Sequence, residues 1–177
     1  FHRLRCGDGV MSIEAFEAQN STHLITANYL GDSVTVLRWA GWTKRRFEFV
    51  QKLNAQRPEH VLPFFTLEGT LLAIVSRRMP GAPVYQWSQD KFTYLCKVDS
   101  PPTMSWHIFS WPSLAVNSSL YLAAAVYDGE SVIFRYKAPS VFERLHALSG
   151  TKFSTSIADI PFQGSVLLTA CASSRAT

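Results

Sequence analysis

Charge is scarce in this chain: of its 177 residues only 17% are Asp, Glu, Lys or Arg, against 47% hydrophobic. That balance excludes disorder driven by charge and leaves ample apolar surface for a core. The cationic excess is small, with 17 Lys and Arg against 13 Asp and Glu, and it is scattered. Its densest clusters, Lys44-Arg45-Arg46 and Arg77-Arg78, each lie between apolar runs and read as solvated turns. No helix-turn-helix, finger or RNP-type motif accompanies them, so nucleic acid is not expected as a partner. Long hydrophobic runs are absent too. The longest, Leu120 to Tyr127, is eight residues, far below the roughly 20 that span a bilayer. Direct membrane insertion of this segment is not expected, and no leader pattern is visible at its start. Cysteine is limited to Cys6, Cys96 and Cys171, without metal-ligand spacing. Their odd number leaves two states open: free buried thiols, or a disulfide partner outside this chain.

The usual signs of chemistry are missing as well. His2, His23, His60, His107 and His146 contain no pair at i, i+2 or i, i+4, and there is no H-E-x-x-H. No G-x-S-x-G elbow occurs, and Gly7-Asp8-Gly9 lacks the frame of a phosphate loop. Asp32, Asp128 and Glu130 fall in turns, where a carboxylate side chain bonds local backbone. The chain is therefore expected not to be an enzyme and to need neither cofactor nor metal. A glycoside hydrolase or lyase is the rival reading, and it requires carboxylates converging across a cleft.

What is present is repetition. An F-x-x-[LV] signature recurs at Phe1, Phe47, Phe92 and Phe142, at intervals of 46, 45 and 50 residues. Each is followed by a small-residue run: His23 to Asn28, Leu71 to Ser76, Tyr121 to Val126 and Leu167 to Ala172. Every run has Leu in its second place. After a turn carrying Gly31-Asp32, Pro80-Gly81 or Asp128-Gly129 comes a strand ending in an aromatic, at Trp39, Trp87 or Tyr136. Ser12 to Phe16, Leu62 to Thr66 and Trp106 to Ser110 fill a further strand position in their repeats. The high aromatic share, 12 Phe, 6 Tyr and 5 Trp, suits pleated half-buried surfaces. Four strands every 45 to 50 residues is the arithmetic of a β-propeller blade. A β-sandwich would not produce such an echo, and a β-solenoid has shorter coils. The expected class is all-β, with about four repeats at 1–46, 47–91, 92–141 and 142–177. The last repeat lacks its aromatic-ending strand, so the array reads as part of a longer propeller.

The pattern resembles the EAR, or EPTP, repeat family (the epilepsy-associated repeats). Phe47-Glu-Phe-Val-Gln51 matches that family's opening, and Thr26-Ala-Asn28 and Tyr121-Leu-Ala-Ala-Ala125 match its middle strand. Val36-Leu-Arg-Trp39, Val84-Tyr-Gln-Trp87 and Ser131-Val-Ile-Phe-Arg-Tyr136 match its last strand. The resemblance covers nearly the whole chain, and the joint spacing carries it. It implies a seven-bladed extracellular propeller that recognises proteins in neural or sensory tissue. Uneven repeat lengths and the lack of a leucine-rich segment lean towards the family's large adhesion G protein-coupled receptor type, and no catalytic motif transfers.

The leading expectation is thus an extracellular or cell-surface recognition module whose partner is another protein; a passive spacer in a large adhesion receptor is the other non-catalytic reading. Two sequons, Asn20-Ser-Thr22 and Asn117-Ser-Ser119, precede the small-residue run in repeats one and three, making Asn20 and Asn117 candidate glycan acceptors. Trp39, Trp87, Trp106 and Trp111 are expected to pack between sheets. Trp42, in the turn before the basic cluster, is the candidate for an exposed contact, with Arg45 and Arg46 beside it. Trp and Arg dominate binding hot spots.

Overall fold

The computed structural model describes residues 8–111, 119–162 and 165–172. Among them are fourteen strands and one short helix, arranged as three four-stranded antiparallel sheets and one two-stranded sheet. The first sheet takes β1 (Val10–Ala18), β2 (Ser21–Asn28), β3 (Ser33–Trp39) and β4 (Phe47–Asn54) in chain order. The second takes β5 (His60–Thr66), β6 (Gly69–Val75), β7 (Ala82–Ser88) and β8 (Lys91–Val98). The third runs through β9 (Thr103–Trp111), β10 (Ser119–Val126), β11 (Ser131–Lys137) and β12 (Val141–Leu148). β13 (Ser154–Phe162) and β14 (Ser165–Ala172) form the fourth. The helix α1 (Gly41–Lys44) sits between β3 and β4.

All-β architecture and four strands per period are as the sequence predicts. The phase differs by one strand. The F-x-x-[LV] segments at Phe47, Phe92 and Phe142 are each the fourth strand of the preceding sheet, so the sequence repeat starting at Phe47 begins inside the first sheet, and the Phe1 segment lies outside the described residues. The reason is local. The aromatic that ends a third strand faces the Phe that opens the next: Trp39 pairs with Phe47 and Tyr136 with Phe142 in register. Their rings lie 5.1 and 5.2 Å apart, and Trp87 and Phe92 repeat the contact at 4.9 Å. Two signatures that look separate in sequence are the two sides of one hairpin. Tight turns help: Gln19-Asn20 and Gln89-Asp90 all take positive φ, as two-residue hairpins with the strand twist require.

The chain divides into two compact units, 1–74 with 83–95 and 75–82 with 96–177. In the first, one face of the first sheet meets the second sheet. Register places Ser12, Glu14 and Phe16 on that face with Ala27, Ile25 and His23, then Val34, Val36, Gln51 and Leu53. They pack with Val61, Leu72, Ile74 and Phe92, and with partly buried Tyr85 and Trp87. Phe16 is the hub: its ring meets His23 at 4.8 Å, Trp87 at 5.1 Å and Phe92 at 5.4 Å.

A side-chain clamp fastens the outer strands of these two sheets. The Gln51 amide donates through Nε2 to the Phe92 carbonyl (2.9 Å), while its Oε1 accepts the Phe92 N–H (2.8 Å). β8 is an edge strand, so these backbone groups have no neighbouring strand on that side. Gln51→Ala is expected to lower unfolding free energy by about 1–3 kcal/mol, the usual cost of stranding buried polar groups. Denaturant titration checks it, with Lys52→Ala as the exposed neighbour expected to change little.

In the second unit the third and fourth sheets pack through Phe109, Ala123, Ala125 and Ile157, with Tyr121, Ile133, Leu148 and Leu168 around them. Ser105 on β9 donates to the Thr155 carbonyl on β13 (2.9 Å). In the first unit Ser12 plays the corresponding part, accepting the Val61 N–H at 3.2 Å. Both serines follow a β-bulge in the first strand of their sheet.

Candidate recognition site

The β3–β4 connection is the most exposed aromatic feature among the described residues that also carries charge. Its base is closed by the Ala40 N–H donating to the Arg46 carbonyl (2.9 Å). Within that loop α1 makes a single turn and stops where Arg45 enters the left-handed region at φ 48, its N–H donating to the Gly41 carbonyl. Gly41 takes φ 87, and nothing lies within 4 Å of the position a Cβ would occupy. Glycine is needed there for backbone conformation, not for space. The turn lifts Trp42 outward to 81% exposure. Trp42 nevertheless has a floor: its ring meets Trp39 edge-on at 5.8 Å, and Trp39 rests on Phe47 at 5.1 Å.

Around this aromatic stack the cations are ordered by one carboxylate. Glu48 accepts from Lys44 Nζ at 2.9 Å and Arg46 Nη2 at 3.2 Å. The hydrogen bonds from Lys44 and Arg46 hold the Glu48 carboxyl below its ordinary value. Arg45 is exposed at the end of the turn. The structure therefore brings Trp42, Arg45 and Arg46 onto one short loop. The third sheet repeats the charge motif without the tryptophan: Glu143, also following its opening Phe, accepts from Arg135 (2.6 Å) and Lys137 (3.0 Å).

Other expected positions fall as follows. Asn20 is exposed at the β1–β2 hairpin tip, and Thr22 of its sequon donates to Glu17 at 2.7 Å. Asn117 and Cys6 lie outside the described residues. Cys96 is a free, partly buried thiol, whose burial pushes its pKa up, and Cys171 is free and exposed. Trp106 is buried, Trp87 is partly buried against the core of the first unit, Trp39 is partly buried, and Trp111 lies where only the backbone is described. Asp32 acts as a turn residue: its Oδ1 accepts the Arg57 N–H (2.8 Å) and its carbonyl the Ala55 N–H (3.1 Å). A cleft of about 300 Å³ beside β12 and β13 is lined by His146, Thr151, Ile157 and Leu168 among others, with no carboxylate in its wall. His107 Nε2 and Asp159 Oδ1 pair at 2.5 Å between β9 and β13, joining two strands. Among the described residues no three His, Cys, Asp or Glu side chains gather as metal ligands, and no helix is long and apolar enough to cross a membrane.

Buried imidazoles make the packed faces sensitive to acid. Burial lowers the pKa of His23, despite a hydrogen bond with the Ser21 carbonyl, and lowers that of His60. His23 Nε2 and His60 Nδ1 are buried without a hydrogen-bond partner. Below the ordinary histidine value of 6.5 the unfolded chain binds protons that the folded chain refuses. Stability is therefore expected to fall as pH drops from 6.5 towards 5. Glu14, raised by burial, works oppositely above 4.5, and the lowered Glu48 and Glu143 lose their pairing only below 4.5. Denaturant midpoints at pH 7.5 and 5.5 check this, and replacing both His23 and His60 by glutamine is expected to flatten the difference.

Sequence reasoning missed two features. The Gln51 clamp gave no signal of its own, since Cys96 and His146 stand in the matching place of the next two F-x-x-[LV] units. A further repeat was readable: Ser12, His60, Ser105 and Ser156 are each followed four places on by Phe16, Phe64, Phe109 or Ile160. It marks the first strand of every sheet.

No family model matches the chain, and no curated protein matches it. Among solved structures it is similar to the SapL1 lectin in complex with alpha methyl fucoside, with a TM-score of 0.61 at 14% identity. That match covers 90% of this chain and 55% of the lectin chain, so the chain spans about half the length of the protein it resembles. At this identity the likeness concerns the fold: an all-β chain of small antiparallel sheets.

Proposed function

We propose that this chain is a non-catalytic recognition module whose small sheets are blades of a β-propeller, and that it binds a protein at the cell surface through the loop carrying Trp42. The observation that carries the reading is the lifted indole on its Trp39–Phe47 floor, flanked by Arg45 and Arg46. Rigid sheets hold such a loop at little entropic cost, and binding residues concentrate on loops of that kind. The EAR-type resemblance supports blades and an extracellular setting, and Asn20 at an exposed hairpin tip suits a glycosylated ectodomain.

A second reading is favoured by one finding, the likeness to a lectin that holds a fucoside. An exposed indole beside a carboxylate and guanidinium groups is also sugar-binding chemistry: the ring stacks on apolar C–H faces while charged groups bond hydroxyls. Both readings are tested by binding labelled chain to intact cells. Protein recognition predicts binding that is lost after mild protease treatment, survives glycosidases, and falls with Trp42→Ala. Competition by free monosaccharide, together with glycosidase sensitivity, overturns the protein reading in favour of the glycan one.

A further inference from the structure

Five tryptophans occur in the chain, and two of them stand three places apart, as Trp39-Ala-Gly-Trp42. Trp87, Trp106 and Trp111 have no tryptophan at that spacing. W-x-x-W is the acceptor pattern for C-mannosylation, in which a mannose is joined to the C2 carbon of the first indole. Spacing alone does not make such a site; the loop that holds the motif must also accommodate the adduct.

This loop does. Along a strand, residues three apart point to opposite faces. Here β3 ends at Trp39, and the single turn of α1 brings the Trp42 ring back against the Trp39 ring, at 5.8 Å and 77°. Trp39 is only partly buried and Trp42 is 81% exposed, whereas Trp106, at 3%, leaves no room for a sugar on its ring. A hexose at Trp39 would cover apolar ring surface with its C–H face and turn its hydroxyls to water. The Asn20-Ser-Thr22 sequon belongs to the same end of the sheet, since Ser21 Oγ donates to the Trp39 carbonyl at 3.3 Å. Two acceptor patterns of the secretory route therefore meet at one sheet end. Because both indoles lie on one loop, the assignment does not depend on what packs against the first or the last sheet.

We propose that Trp39 is a C-mannosylation site. The proposal rests on the extracellular setting proposed above. The donor is a polyprenyl-phosphate mannose, and the catalyst is a membrane-bound transferase of the secretory route. The bond from the sugar C1 to the phosphate oxygen breaks, and a carbon–carbon bond forms between C1 and the indole C2. Polyprenyl phosphate leaves, and the C2 proton passes to a base of the transferase; nothing is oxidised or reduced. The sugar enlarges the floor on which Trp42 rests, so the modification acts on the recognition loop itself.

Peptide mass spectrometry provides the test. The chain is secreted behind a cleavable leader from vertebrate cells, and from the same cells lacking the C-mannosyltransferase. Trypsin cuts after Arg38 and Lys44 and releases Trp39–Lys44 with both indoles on one peptide. That peptide is expected to gain the mass of one hexose. The sugar is expected to stay on Trp39 through fragmentation and to resist N-glycosidase, because a carbon–carbon bond holds it. It is expected to be absent from the transferase-deficient cells and from the Trp42→Ala chain. A secreted chain with a glycan on Asn20 but a bare Trp39–Lys44 peptide overturns the proposal and leaves the extracellular setting standing. A hexose on Trp42 in place of Trp39, or modification indifferent to Trp42→Ala, overturns it as well. Trp42-dependent binding to cells, the test of the proposed function, is read separately.

Discussion

Phe16→Ala is expected to destabilise the fold by about 3–5 kcal/mol, the range for deleting a buried phenyl ring. Few residues in the first unit touch so much. Phe16 is 3% exposed and its ring meets an imidazole, an indole and a second phenyl ring belonging to both sheets of the contact. Collapse around the missing ring is limited, because His23 and Trp87 already hold one another at 4.9 Å and Trp87 holds Phe92. A cavity therefore remains, and a residual cavity is what makes such substitutions expensive. Against the roughly 5–15 kcal/mol that stabilises ordinary domains, a loss of this size is large. Denaturant unfolding followed by tryptophan fluorescence measures it. Leu67→Ala serves as control: a fully exposed side chain is expected to change stability by less than about 0.5 kcal/mol.

Trp42→Ala carries the second large effect, on binding and not on folding. A central aromatic anchor costs about 2 kcal/mol or more when truncated, which is roughly 30-fold in affinity. Exposure of the indole predicts that the melting transition stays within about 0.5 kcal/mol of the unsubstituted chain. Arg45→Ala is expected to weaken binding less, and with greater dependence on salt, because an exposed cation acts through a screened field. Arg46→Ala does more than remove charge, since it also frees Glu48 from one of its two partners. Titration against captured cell-surface protein reads all three. Equal affinity for Trp42→Ala and the unsubstituted chain would remove the loop from the recognition surface.

Much of the architecture was legible because the repeat is written in side chains that pack. The Leu at the second place of the small-residue run packs against a neighbouring sheet at Leu72 and Leu168, and the aromatic closing each of the first three third strands meets the next opening Phe. What period alone does not reveal is phase. The echo of Phe47 at Phe92 is equally strong wherever one starts counting, and only the Trp39–Phe47 pairing fixes which sheet owns the strand. The exposure of Trp42 was readable from its place in a basic turn. Its floor was not, because Trp39 reaches it through a left-handed stop at Arg45 that no periodicity encodes. The histidines were read as surface or satisfied core residues, but the burial of His23 against Phe16 and Trp87 depends on a neighbouring sheet that sequence places only once the phase is known.

The one-strand offset between sequence unit and sheet has a practical edge. A fragment or chimera joined at 46/47 would sever β3 from β4, leaving bare ladder amides along Val34 to Trp39 and inviting another chain to complete them. A junction in the 55–59 connector keeps every ladder intact but parts the core shared by the first two sheets, so a chimera joined there needs a following sheet that restores the packing on Phe16.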